Sequence, residues 1–413
     1  MVNFEKYNLE NGLRLLVHPD PSTPIATVNL LYNVGSKHEN PERTGFAHLF
    51  EHLMFEGSLN IPTYDTPLQK AGGENNAFTS NDITNYYLTL PTENLETAFW
   101  LESDRMLGLK LTEEKIRVQK NVVIEEFNQR YRNQPYGDAM MLLREMAYKV
   151  HPYQWSTIGK DISHIEGATA QEVSDFFYHH YAPNNALLTV VGNVEPEDVK
   201  QLADKWFGPI PRRDLDQKEI PREPAQEEPR SLEVTREVPH DVIYKAYHMS
   251  HRNHPDYIPT DLISDLLANG NSARLYQQLV KRKKLFGSID AYITGEVDEG
   301  LLMVTGTLAP GVKMKDAEEE LLRELDKLKE QPVEEEELQK VKNKLLAVRT
   351  FTKTSALHKA MNIAFFELLG DANRINTEEQ EYLKVAPSDI QRVSQQVLDR
   401  KNCSTLYYYA KNQ

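Results

Sequence analysis

The sequence predicts an α+β chain made of two homologous α/β sandwich domains, each a mostly antiparallel sheet with helices packed on it. Three observations carry this reading. The chain runs to 413 residues, too long for one ordinary hydrophobic core. The stretch from Pro209 to Pro229 is rich in proline and charge and almost free of apolar side chains, so it reads as a linker near the midpoint. The sequences on either side of it open and close with the same succession of elements, the mark of an internal duplication.

The first half opens with an extended apolar stretch, Ile25 to Tyr32, followed by a polar loop and a helix over 45–55; the second opens with Val242 to Tyr247, a loop and a helix over 260–267. The endings match as well. A helical pattern carrying Val173, Phe176 and Phe177 leads into the strand Ala186 to Val191, and Ile390, Val393 and Val397 lead in the same way into Thr405 to Tyr409. Between these ends lie strands such as Thr84 to Leu90 and charged helices over 316–329 and 334–348.

Composition excludes several classes of function. A hydrophobic fraction of 40% and a charged fraction of 26% are those of a soluble globular protein. No apolar run approaches the roughly 18 residues of a membrane span. The formal charge of −15 argues against nucleic acid, whose phosphates need clustered Lys and Arg. The single cysteine, Cys403, has no partner for an internal disulfide and falls in a strand pattern. The opening residues lack a secretory leader, which is the expectation for a cytoplasmic protein, or a periplasmic one trimmed of its leader.

The chemistry concentrates in residues 44–57, TGFAHLFEHLMFEG, a helical pattern closed by glycine. Steps of about 100° per residue gather Phe46, Leu49, Phe50, Leu53 and Met54 on one stripe and leave His48, Glu51 and His52 on the other. Two histidines one turn apart can reach a single tetrahedral Zn²⁺, with the glutamate at i+3 beside a water on the metal. The bland alternative is a pair of solvated histidines. A hydrolytic zinc needs a third protein ligand, and the helix pattern over 112–131 offers one. Its apolar stripe is Ile116, Val123, Ile124, Phe127 and Tyr131; Glu126 flanks that stripe, whereas Glu125 points away, so Glu126 is the expected ligand. The division that follows is a zinc-binding catalytic domain over 1–210, a linker over 211–232 and a homologous domain without a metal site over 233–413.

With HLFEH at 48–52, VVIEE at 122–126, NNAFT at 75–79 and YAPNNALLTVVG at 181–192, the chain resembles the zinc peptidases with an inverted motif: pitrilysin, insulysin and the mitochondrial processing peptidase, with their short bacterial-type relatives. The resemblance spans nearly the whole length. It implies half of a clamshell peptidase with one Zn²⁺ per chain held by His48, His52 and Glu126, with Glu51 as general base. It also implies that Asn76, Ala77 and Phe78 receive an extended peptide substrate. Two departures stand out. Many members carry a second acid seven positions before the third ligand, where this chain has Gln119, leaving a hydrogen-bonding role around the metal. Aligning on SARLYQ at 272–277 puts the family's substrate-binding arginine and tyrosine at Val280 and Gly287. The expectation is therefore a heterodimer, with a related zinc-free subunit rather than a second copy of this chain supplying both groups. The rival reading is a non-catalytic subunit for peptide binding or assembly.

Overall fold

In the computed structural model, the described residues are 1–215 and 219–411; Asp216, Gln217 and Lys218, inside the stretch read as a linker, lie outside them. The chain divides into two compact units. The first takes in Met1–Asn128, Trp155–Ile220 and Arg349–Thr377, and the second Gln129–Gln154, Pro221–Val348 and Glu378–Gln413.

The first unit is built on six strands: β1 (Glu5–Asn8), β2 (Arg14–Pro19), β3 (Ile25–Tyr32), β4 (Glu74–Thr79), β5 (Thr84–Pro91) and β6 (Ala186–Gly192). Their order is β1-β2-β6-β3-β5-β4. Only β2 and β6 pair in parallel. The central strands β3 and β6 are buried along almost their whole length, polar Thr27, Asn29 and Thr189 included, because helices cover both faces of the sheet. On one face the helix Ala356–Leu368 sets Ala360, Ile363 and Ala364 against Leu31, Leu187 and Val191. On the other, Tyr32 and Tyr86 meet edge to face beneath the helix Phe46–Leu53, whose Phe50 carbonyl accepts the Tyr86 hydroxyl at 3.2 Å.

The second unit repeats the plan with β7 (Arg230–Arg236), β8 (Val242–His248), β9 (Phe286–Ile293), β10 (Leu301–Leu308) and β11 (Cys403–Ala410), in the order β7-β11-β8-β10-β9. Here β7 and β11 are the parallel pair. Order and polarity are those of β2-β6-β3-β5-β4, so the duplication extends to topology. Helices Tyr257–Ala268, Met314–Glu330 and Pro387–Val397 bury Leu262, Leu321, Leu325, Ile390 and Val393 on one face, together with Cys403. The helix Ala139–Ala147 covers the other, with Leu143 and Met146 against Tyr244, Leu301 and Leu406.

These units differ from two domains continuous in sequence. Residues 129–154 come from the first half and belong to the second unit, while 349–377 make the reverse exchange. Each exchanged segment supplies the helix that covers the second face of a sheet. Helical periodicity tells which side of a helix is apolar but not which sheet it will cover. The expected linker also ends early, because β7 begins at Arg230. Among the described residues, no helix is long and apolar enough to cross a membrane.

The exchanged helix Ala356–Leu368 is tied to its sheet by ions as well as by apolar burial. Lys359 Nζ lies 2.6 Å from Asp20 Oδ2, both side chains largely buried. Burial alone would raise the Asp20 carboxyl, but the Lys359 ammonium and the Ser22 hydroxyl and N–H outweigh it and bring it down from 3.8 to about 2. A carboxyl depressed in the folded state stabilises above its unfolded value, and that stability is lost as pH falls through the folded one. Lys359→Met is therefore expected to lower unfolding stability at neutral pH by about 2 kcal/mol. In urea titrations its difference from wild type should shrink as pH drops from about 4 toward 2; a difference that stays constant over that range contradicts the assignment.

Candidate metal centre

The helix Phe46–Leu53 begins at Gly45, which adopts φ 92°. Phe46, Leu49, Phe50, Leu53 and Met54 are buried, the stripe that the periodicity predicts. Phe50 stacks on Phe176 at 5.3 Å between ring centroids and meets Tyr181 at 5.2 Å. With that face fixed, His48 is turned inward at 8% exposure, and Glu51 and His52 are half-buried beside it.

Beneath the same region lies a buried cation. Arg105 Nη2 pairs with Glu102 at 2.6 Å, and the guanidinium stacks over Tyr86 at 4.3 Å and Tyr64 at 4.6 Å from the ring centroids. Burial raises the Tyr86 and Tyr181 phenols, and the charge of Glu51 adds to the rise in both. Both therefore stay neutral beside it.

The second helix, Glu113–Phe127, is capped by Thr112, whose hydroxyl accepts the Lys115 N–H at 3.3 Å, and buries Ile116, Val123 and Phe127. The α-helical pattern expected to run to Tyr131 gives way at Asn128 to a π-helical turn over Asn128–Arg132. Glu126 faces the two histidines and Glu125 is exposed. Glu126 Oε2 lies 3.6 Å from His48 Nε2 and 3.5 Å from His52 Nε2. One ligand atom from each of the three residues falls within 4.8 Å of the others, the only such group of three metal-ligating side chains among the described residues. Ligands at ~2.1 Å from a tetrahedral ion stand ~3.4 Å apart. Spacing and donor type therefore suit zinc. His248, His251 and His254, close in sequence, form no such group; His248 Nε2 meets the Ala147 carbonyl at 3.0 Å instead.

Gln119 sits two turns before Glu126 on the same helix. Its amide donates to Glu56 Oε1 at 2.5 Å, and the Lys115 ammonium donates to the Glu56 carbonyl. Glu56, just beyond HLFEH, was not singled out from the sequence, where nothing but its nearness to the motif marks it. These bonds pin the two ligand-bearing segments together.

The strand β4 occupies the sheet edge, paired with β5 on one side, and packs against the helix Phe46–Leu53. Asn76 and Phe78 are exposed on it and Ala77 is half-buried. In the second unit, Val280 is packed against the core, and Gly287 is exposed on β9. Neither can supply the cationic or phenolic group that the family carries there.

Comparison with known proteins gives the family. The family description "Insulinase (Peptidase family M16)" matches residues 14–161, and "Peptidase M16 inactive domain" matches residues 167–345. The chain is 29% identical over 411 residues to the zinc protease PqqE of Helicobacter pylori, covering 98% of this chain and 92% of that protein. It is 30% identical over 207 residues to the beta subunit of the mitochondrial-processing peptidase of Saccharomyces cerevisiae, covering 49% of this chain and 44% of that one. The crystal structure of a protease from Helicobacter pylori superposes with a TM-score of 0.92 at 29% identity, covering 99% of this chain and 100% of the other. The chain belongs to the M16, or insulinase, peptidase family.

Proposed function

We propose that the chain is the zinc-carrying subunit of a bacterial-type endopeptidase that hydrolyses peptides or unfolded polypeptide segments. The observation that carries this reading is the approach of His48, His52 and Glu126 to within one ion's reach of each other. Relatives named as zinc proteases support it. His48, His52 and Glu126 would hold one Zn²⁺ per chain, and the ion when bound polarises the scissile carbonyl and lowers the pKa of a water. Glu51 shares the helix face with the two imidazoles, where its carboxylate would accept a proton from the attacking water and return it to the leaving amine. Asn76, Ala77 and Phe78, on an edge strand packed against the same helix, offer backbone groups to a substrate that adds as a further strand.

The substrate-binding arginine and tyrosine are assigned to a related zinc-free subunit, since Val280 and Gly287 provide neither. The yeast relative is itself named as a subunit.

Glu51→Gln removes the proton acceptor and leaves the three ligands intact. On a pool of quenched fluorogenic peptides it is expected to cut the rate about a thousandfold with zinc per chain unchanged. Cleavage that survives the substitution would defeat the hydrolytic reading. The isolated chain is expected to cleave slowly, and a related subunit co-purified from the native host should raise its rate about tenfold or more. A rate that the partner leaves unchanged overturns the heterodimer. Absence of any cleavage by the zinc-loaded pair selects the non-catalytic subunit.

A further inference from the structure

We propose that Glu39 is a positioning residue for the metal centre: its carboxylate caps, from outside the helix, the first turn of the segment that carries His48, Glu51 and His52, and so sets where the two imidazoles stand. The inference rests on the metal-site reading of the preceding subsection and adds to it a residue remote from the ligands.

The helix Phe46–Leu53 has eight residues, little more than two turns. Such a helix leaves its first N–H groups without partners inside it, and a serine, threonine or aspartate at the N-cap ordinarily takes them up. That solution is barred here. Gly45 holds the N-cap position at φ 92° with no side chain to offer, and a Cβ there would meet the Ile158 carbonyl oxygen at 2.7 Å and Ile165 Cδ1 at 2.9 Å.

Glu39 fills the gap from six residues upstream. Its Oε2 accepts the Gly45 N–H at 2.9 Å and its Oε1 accepts the Ala47 N–H at 2.8 Å. The side chain is 6% exposed, and the Trp155 indole, which donates to the Ser36 carbonyl at 3.0 Å, faces the same carboxylate. Two bonds to two different oxygens fix rotation about the helix axis as well as position along it.

Rotation is what the metal centre is sensitive to. An imidazole nitrogen stands ~6 Å from the axis, so a turn of about 10° moves it about 1 Å, several times the ~0.2 Å tolerance of a zinc–ligand bond. Holding the carboxylate there has a cost. Burial raises its carboxyl from 4.5 to about 8, against the pull of the Ala47 and Gly45 N–H groups. A carboxyl raised in the folded state destabilises progressively as pH climbs from its unfolded value to its folded one.

The test uses the full chain loaded with Co²⁺ as a spectroscopic stand-in for zinc, comparing wild type, Glu39→Gln and Ser355→Ala. The last removes a cap of ordinary type, since the Ser355 hydroxyl accepts the His358 N–H at the start of the helix Ala356–Leu368. Glu39→Gln keeps the shape but turns an NH₂ toward one of the two N–H groups. It is expected to weaken Co²⁺ and Zn²⁺ binding about tenfold or more, to shift the cobalt d–d bands and to lower kcat with KM little changed. Ser355→Ala should lose stability and leave binding and bands as in wild type. Equal metal affinity and identical bands in wild type and Glu39→Gln overturn the inference and leave the metal reading standing. A wild type that takes up no metal overturns both. Should Glu39→Gln not fold, hydrogen exchange on the wild type decides: Gly45 and Ala47 amides protected like the core support the cap, and rapid exchange there contradicts it.

Discussion

Two short stretches of chain, some seventy residues apart, must bring three side chains to one point with sub-ångström accuracy, and the constraint that does this is apolar. The helix Phe46–Leu53 has one buried stripe, and its Phe50 lies against Phe176 and Tyr181 while its carbonyl is held by Tyr86. Once that stripe is seated, the helix can turn only within narrow limits and His48, Glu51 and His52 share one direction, with the Glu39 bonds to Gly45 and Ala47 holding it within those limits. The helix Glu113–Phe127 is fixed in the same manner by Ile116, Val123 and Phe127, which turns Glu126 toward the histidines and Glu125 toward solvent. The polar bonds refine a placement that the hydrophobic contacts make. Gln119 to Glu56 joins the two helical segments, and the Arg105–Glu102 pair stiffens the aromatic floor.

The duplication explains why only one unit carries such a centre. The two sheets share order and polarity, and the helix Tyr257–Ala268 follows β8 as Phe46–Leu53 follows β3. The second unit keeps the sheet and the covering helices, yet at the positions matching His48, Glu51 and His52 by that succession its helix presents other side chains. No group of three ligands forms there among the described residues. Packing demands alone maintain the fold, so a copy relieved of chemistry retains its architecture.

Much of this was legible in the sequence because it is encoded locally. The stripe of Phe46, Leu49, Phe50, Leu53 and Met54 and the difference between Glu125 and Glu126 both follow from helical geometry over a few residues. The strand Ile25–Tyr32 has the same ends in the structure as in the sequence pattern. What the sequence hid depends on pairs far apart in the chain. The exchange of 129–154 and 349–377 between the units is one such feature, since an amphipathic helix will cover any apolar sheet of suitable shape. The cap on the metal helix is another. Capping signatures look for a polar residue at the N-cap itself, and there the chain has Gly45, with the carboxylate supplied by Glu39 across an intervening loop. The π-helical turn at Asn128–Arg132 also interrupts a pattern that runs on without a break in the sequence.

The central claim is that two imidazoles and one carboxylate grip a single zinc and leave room for solvent. X-ray absorption at the zinc K-edge of the purified chain measures this directly. The account predicts one ion per chain in a four-coordinate shell of two nitrogen ligands with imidazole outer-shell scattering and two oxygens, at distances of about 2.0–2.2 Å. A shell that contains sulfur, lacks imidazole scattering, or persists unchanged in Glu126→Ala would contradict it.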